Sequence, residues 1–184
     1  PSFFGHAAAG IALGAAFVDA KTPSRAWALG VLCALAPDLD WFTVFLRVHP
    51  GNFLAHRGIT HSLLGATLLA VGAFLCGFWS DLRRPRILTY LLLASLSHGL
   101  LDACTSGRIG VAFFYPFSTV DGVVTGTLRD APLPFWSGLR WPFIASLLGE
   151  ALWIGVPGLI WMAGIRVLRR ASAWMPLPEI ESEG

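Results

Sequence analysis

Charge is what this sequence has least of: 13% of its 184 residues are Asp, Glu, Lys or Arg, while 55% are hydrophobic. That shortage and a mean hydropathy of +0.65 exclude a water-soluble domain, in which about a quarter of the residues are charged. A bilayer core takes roughly 20 apolar residues per helical crossing, so the length accommodates about four to six crossings and no separate soluble domain. Cysteine is scarce as well. Cys33, Cys76 and Cys104 are odd in number, far apart and set in apolar runs, which argues against a disulfide framework or a thiolate metal site. The net charge of +2 forms no basic stripe, because the arginines fall at segment ends, and nucleic-acid binding is left without support.

What is present is a series of five apolar stretches, at residues 3–18, 26–46, 62–79, 87–104 and 143–168. They predict an all-α polytopic membrane bundle of about five transmembrane helices, forming a single domain over residues 1–178 with an acidic, disordered tail at 179–184. The first stretch is short and lacks the basic region of a signal peptide, so it is read as a crossing. Pro37 interrupts the second. Gly10 and Gly14 form a small-xxx-small face on which another helix can approach closely. With five crossings, one side of the membrane carries eight Lys and Arg and the other five; the richer side is expected to be cytoplasmic. The N-terminus, the HRGITHS stretch at 56–62 and the long segment 105–142 then face outward. That segment, with its FFYPF and PLPFW, is read as an interfacial lid or loop at headgroup level.

Ionisable side chains inside apolar segments are costly and turn toward a bundle interior or a cavity. His6 opens the first crossing, Asp38 and Asp40 lie late in the second, His56, Arg57 and His61 precede and open the third, and His98 and Asp102 lie late in the fourth. In an alternating bundle the start of an odd crossing and the end of an even one share a side, so all four groups converge on one leaflet. His98 and Asp102, four apart, share a helix face. Asp38 and Asp40 are two apart at the Pro37 break, which either aims both into a cavity or leaves one as a helix cap beside a solvated neighbour. Arg57 is either a fork for an anionic oxygen or a snorkelling anchor. His49 lies outside the cluster and receives no role.

Four imidazoles and three carboxylates suit Zn²⁺ first, with Mn²⁺ or Fe²⁺ as alternatives, and exceed what one tetrahedral ion takes, so two ions sharing a bridging aspartate are the natural inventory. Such a site activates water against an ester or phosphoester. No HExxH is present, which argues against a zincin protease, and no GxSxG, which argues against the usual serine lipase. Leu92 stands six residues before His98, where lipid phosphatases of the vanadium-haloperoxidase type carry an arginine.

FGHAAAG, PDLD, HRGITHS, HGLLDACTSG and the later YPFS, spread over residues 3–118, resemble the bacterial inner-membrane metal-dependent hydrolase family typified by YdjM. The resemblance implies His6, Asp38, Asp40, His56, His61, His98 and Asp102 as metal-site residues, with Arg57 and Thr60 beside them. It also implies a distant similarity to zinc-dependent phospholipase C and P1-type nucleases. Their additional HxxxE is missing, because Ser146 stands four residues before Glu150, so one or two ions are expected rather than three. The expected protein is a multi-pass enzyme of the bacterial inner membrane that hydrolyses a lipid ester or phosphoester at the outer face. Asp38, Arg57 and Asp102 are its catalytic residues. The alternative is a divalent-metal transporter or sensor that performs no hydrolysis.

Overall fold

In lipid, an apolar segment can satisfy its own backbone only as a helix, and every apolar stretch of this chain is helical. The structure is a computed structural model that describes residues 1–49, 52–81, 84–104, 110–118 and 141–174. Its helices are α1 (Phe3–Phe17), α2 (Arg25–Leu35), α3 (Trp41–Phe45), α4 (Leu63–Phe78), α5 (Pro85–Cys104), α6 (Trp141–Glu150) and α7 (Val156–Trp174). A 3₁₀ turn, Ala36–Asp40, joins α2 to α3, another, Ile59–His61, leads into α4, and a π turn, Ala151–Gly155, joins α6 to α7. No strand is present among the described residues. The acidic tail lies outside them, as do residues 105–109 and 119–140 of the expected interfacial segment.

Three rods are long and apolar enough to cross a membrane: Arg25–Phe45, Pro85–Cys104 and Ile144–Ser172. α1 and α4, of 15 and 16 residues, are apolar but shorter. At 1.5 Å per residue they reach about 22–24 Å, less than a hydrocarbon core of about 30 Å. The five rods therefore stand where five crossings are expected, although among the described residues only three have full spanning length.

α5 is the central helix and packs against α1, α2 and α4. Half of its apolar window is buried, against 6% for the α6–α7 rod, which leans on α1 from outside. The apolar core lies toward one end of the bundle, where Val18 at the end of α1, Ala26 at the start of α2, Phe78 at the end of α4 and Ile87 near the start of α5 meet. Tyr90 is its pivot. Fully buried, it donates its hydroxyl to the Gly10 carbonyl at 3.0 Å, and it lies where any side chain on Gly30 would have to go. Gly10 and Gly14 form a close-packed face: a Cβ on Gly10 would stand 3.0 Å from Ala34 Cβ, and one on Gly14 would stand 2.7 Å from the Trp27 ring. Glycine is thus what lets α1, α2 and α5 approach closely enough for their other ends to share a pocket.

Gly30→Ala should destabilise the bundle by several kcal/mol, at or above the usual cost of about 1–3 kcal/mol for overpacking, because the new methyl overlaps the Tyr90 ring. Gly72→Ala, with nothing within 4 Å of the new methyl, should leave thermal unfolding in detergent unchanged. Equal melting temperatures for the two variants would contradict this packing.

Candidate metal centre

Asp38 and Asp40 reach the site because the chain tightens after α2. In an α-helix residues two apart point about 160° from each other, whereas in a 3₁₀ turn the angle narrows to about 120°. Pro37 sets this geometry and has no N–H to offer, in the 3₁₀ register, to the carbonyl of Ala34. That carbonyl instead accepts a hydrogen bond from His98 Nδ1 at 2.7 Å. Asp40, although it precedes α3, makes no capping hydrogen bond to it, so the helix-cap alternative does not hold.

The HRGITHS stretch folds as a turn rather than as the first turn of α4. Gly58 is required by close approach, since a Cβ there would stand 2.6 Å from the Phe53 carbonyl oxygen and 2.8 Å from that of Ala55. Arg57 takes a left-handed conformation, φ 68°, a strained choice for a residue with a side chain. Its contacts explain the posture: its N–H donates to Asp40 Oδ2 at 3.3 Å, its carbonyl accepts from Ala112 N at 3.3 Å, and its Nε lies 3.6 Å from Asp102 Oδ2. The guanidinium is therefore turned into the cluster, not outward as a snorkelling anchor.

His6, His61, His98, Asp40 and Asp102 are buried, and Asp38, His56 and Arg57 are partly so. The inner group consists of Asp38, His61, His98 and Asp102, one donor atom of each lying within 4.8 Å of all the others. His98 Nε2 and His61 Nε2 face each other at 3.1 Å. His98 Nε2 is 3.4 Å from Asp38 Oδ1 and 3.9 Å from Asp102 Oδ2, while His61 Nε2 is 3.9 Å and 3.4 Å from the same two oxygens. Donor atoms at about 2.0–2.1 Å from a tetrahedral zinc are about 3.3 Å apart, close to these separations. Both Nδ1 atoms already face acceptors, Ala34 O for His98 and Asp40 Oδ2, at 3.1 Å, for His61. With both Nδ1 atoms engaged, the two Nε2 atoms face one space, and displacing the proton from them would let both rings bind one ion there.

His6 stacks on His98, ring centroids 3.8 Å apart. Its Nε2 lies on the other side of the same carboxylates, 3.3 Å from Asp102 Oδ1 and 4.0 Å from Asp38 Oδ2, and neither of its ring nitrogens has a hydrogen-bond partner among the described residues. Each of these two aspartates thus offers one oxygen to the pair His61 and His98, and the second to His6. Asp40 and His56 do not join the inner group. Asp40 stands behind His61, receiving hydrogen bonds from Thr60 Oγ1 and from His56 Nδ1, the latter at 2.6 Å; Asp40, His56 and His61 form a second set that could hold an ion. His49 is exposed on the loop beyond α3.

His61 lies just ahead of α4. Burial acts to lower its imidazole pKa, but the hydrogen-bonded carboxylates of Asp102 and Asp40 outweigh it and raise it to about 9. Asp38, His61, His98 and Asp102 are a group that could hold a metal ion, and the nitrogens of His6, without a hydrogen-bond partner among the described residues, fit a further ligand.

Three features of the site carry little or no signal in the sequence. The Ala34 carbonyl was detectable only through the proline that follows it. The interfacial segment is stitched to the site at its described part, Phe113 O accepting from Leu63 N at 2.9 Å, and long-range backbone pairing leaves no sequence signal. Glu150, whose depth was not legible, lies at the site end of the bundle and accepts from the backbone N–H of Ser2 at 2.7 Å.

Residues 2–177 match the family described as YdjM inner membrane protein. The chain is also 30% identical over 176 residues to inner membrane protein YbcI of Escherichia coli (strain K12), an alignment covering 92% of this chain and 99% of that protein. No solved structure matches it.

Because folding raises the His61 pKa above its ordinary 6.5, its protonated form stabilises the fold fully below about pH 6.5, and this contribution is lost as pH rises through about 9. The melting temperature of chelator-treated protein should therefore fall across that window, and His61→Gln should flatten the fall. An unchanged pH profile in the variant would contradict the assignment.

Proposed function

The chain belongs to the YdjM family of inner membrane proteins, and from that premise we propose that it is a membrane-embedded, metal-dependent hydrolase of lipid esters or phosphoesters. The observation that carries the reading is the convergence of His61 Nε2, His98 Nε2 and the Asp38 and Asp102 carboxylates at tetrahedral spacing inside an otherwise apolar bundle. Zinc suits this donor set best, and the second oxygens of the two aspartates, with His6, suit a second ion. A divalent ion bound there would lower the pKa of water and polarise an ester oxygen.

The chain's own groups have distinct tasks. Ala34 O and Asp40 fix the rings of His98 and His61 with their Nε2 atoms inward. Asp38, with 11% of its side chain exposed against 4% for Asp102, is the more open carboxylate and the one placed to take a proton from attacking water. The Arg57 guanidinium, beside Asp102, is placed to hold an anionic oxygen of the substrate.

Lipid is the proposed substrate because the site end of the bundle is rimmed by exposed apolar side chains, among them Phe42, Phe45, Phe53, Leu54, Phe114 and Phe117. Distant kinship with zinc-dependent phospholipase C and P1-type nucleases is part of the same proposal, and the histidine and aspartate donor set supports it. So is a site facing the periplasm, supported by the distribution of Lys and Arg. Transport is disfavoured because the described acidic and histidine groups of the crossings gather at one end, Glu150 included, leaving no second relay.

Purified protein should contain one or two zinc ions per chain and hydrolyse a phospholipid from a mixed-lipid screen. His98→Ala and Asp102→Ala should lower the rate by about 100-fold or more. Protein that holds no stoichiometric metal and a His98→Ala variant with full hydrolysis would overturn the reading. Metal flux into proteoliposomes without hydrolysis would replace it with transport.

A further inference from the structure

His6 differs from the other site histidines in how it is held. His98 is oriented by the Ala34 carbonyl, His61 by Asp40 and Thr60, and His56 by Asp40, whereas neither ring nitrogen of His6 has a hydrogen-bond partner among the described residues. Its place is set by stacking on His98, by the Asp102 carboxylate 3.3 Å from its Nε2, and by the backbone of α1. Because its ring has no hydrogen bond among the described residues, what fixes that backbone sets where the ring meets His98 and Asp102.

We infer that Glu150 is a positioning residue for His6, acting through Ser2 on the first turn of α1; the inference rests on the metal-site reading above. Ser2 precedes α1 and makes no side-chain cap of its own. Its backbone N–H donates to Glu150 Oε1 at 2.7 Å and its hydroxyl to Glu150 Oε2. The Ser2 carbonyl in turn accepts the backbone N–H of His6 at 3.2 Å, so a continuous run of hydrogen bonds leads from the carboxylate to the histidine. Glu150 also lies over Gly5, where a Cβ would stand 2.9 Å from Oε2. The carboxylate thus caps α1 from another helix, at the end where the helix dipole favours negative charge.

The far end of α1 is held in the matching way. Arg169 donates from Nη1 to Val18 O at 2.9 Å and from Nη2 to Ala16 O at 3.1 Å, placing positive charge at the C-terminus of the helix. Glu150 and Arg169 lie 19 positions apart on the α6–α7 rod, about 28 Å of helix, and the Ser2–Val18 stretch they grip is about 24 Å long. A slip of α1 by one residue would move His6 by about 1.5 Å, enough to remove its Nε2 from the Asp102 oxygen. Arg169, at the opposite end, contributes to docking of α1 without adjoining His6.

The test reads ring stacking directly. In chelator-treated full-length protein in nanodiscs, selectively labelled histidine should show ring-current-shifted His6 and His98 signals. Glu150→Ala should move both toward the positions of unstacked rings. Glu150→Gln, whose amide can still bond Ser2 N–H and Oγ, should retain the shifts, and Arg169→Ala should retain them while lowering the melting temperature. If Glu150→Ala does not fold, Ser2→Ala, which removes only the hydroxyl bond, should show a smaller displacement in the same direction. Unchanged shifts in folded Glu150→Ala, an equal displacement in Arg169→Ala, or Glu150→Gln behaving as Glu150→Ala would each overturn the positioning role. A cobalt titration of the same proteins separates this from the metal reading. Failure of wild type to bind Co²⁺ counts against the metal, whereas wild-type binding with about tenfold weaker binding in Glu150→Ala accords with both.

Discussion

Charge withdrawn from water has to be balanced where it lies, and the pocket shared by Asp38, Asp40 and Asp102 is the consequence of that rule in this bundle. Three carboxylates meet the rings of His6, His56, His61 and His98 and the guanidinium of Arg57, contributed by four separate parts of the chain. None of these groups is tolerable in an apolar bundle by itself. Their mutual pairing ties the start of α1, the 3₁₀ turn after α2, the turn before α4 and the end of α5 into one structure.

That pairing is possible only because the opposite half of the bundle packs closely. Tyr90, seated against Gly10, Gly14 and Gly30, lets α5 approach α1 and α2 with backbone and side chain nearly touching. A wider separation would carry His98 away from Ala34 and the two Nε2 atoms away from each other. The apolar end and the polar end are therefore one design: small residues set the spacing, and imidazoles and carboxylates use it. The peripheral α6–α7 rod adds little to the core but grips both ends of the one short helix that bears His6.

The strained backbone of Arg57 belongs to the same economy of space. Its left-handed turn lets one residue present its N–H to Asp40, its carbonyl to Ala112 and its guanidinium to Asp102. Gly58, packed against two carbonyls, closes that turn. Near it Phe42, Phe45, Phe53, Phe114 and Phe117 are exposed, so the buried histidines and aspartates sit among outward-facing apolar side chains.

Much of this was legible in the chain itself. Hydropathy and length determined that the protein is helical and membrane-bound, because apolar residues in runs of this length have no other stable arrangement in lipid. Alternation of the crossings determined that the histidines and aspartates meet at one end, since a chain that crosses back and forth must bring those positions to the same side. Which atoms face which was decided only by the tertiary structure. Asp40 stands behind His61 rather than beside Asp38, Arg57 turns inward, and Glu150 caps α1 instead of joining the cluster. Those outcomes depend on the tightened turn after Pro37, on the close approach at Gly30 and Gly58, and on hydrogen bonds between residues as far apart as Ser2 and Glu150. Periodicity can assign a residue to an end or a face, but orientation within a pocket is settled by contacts across helices, which no local pattern encodes.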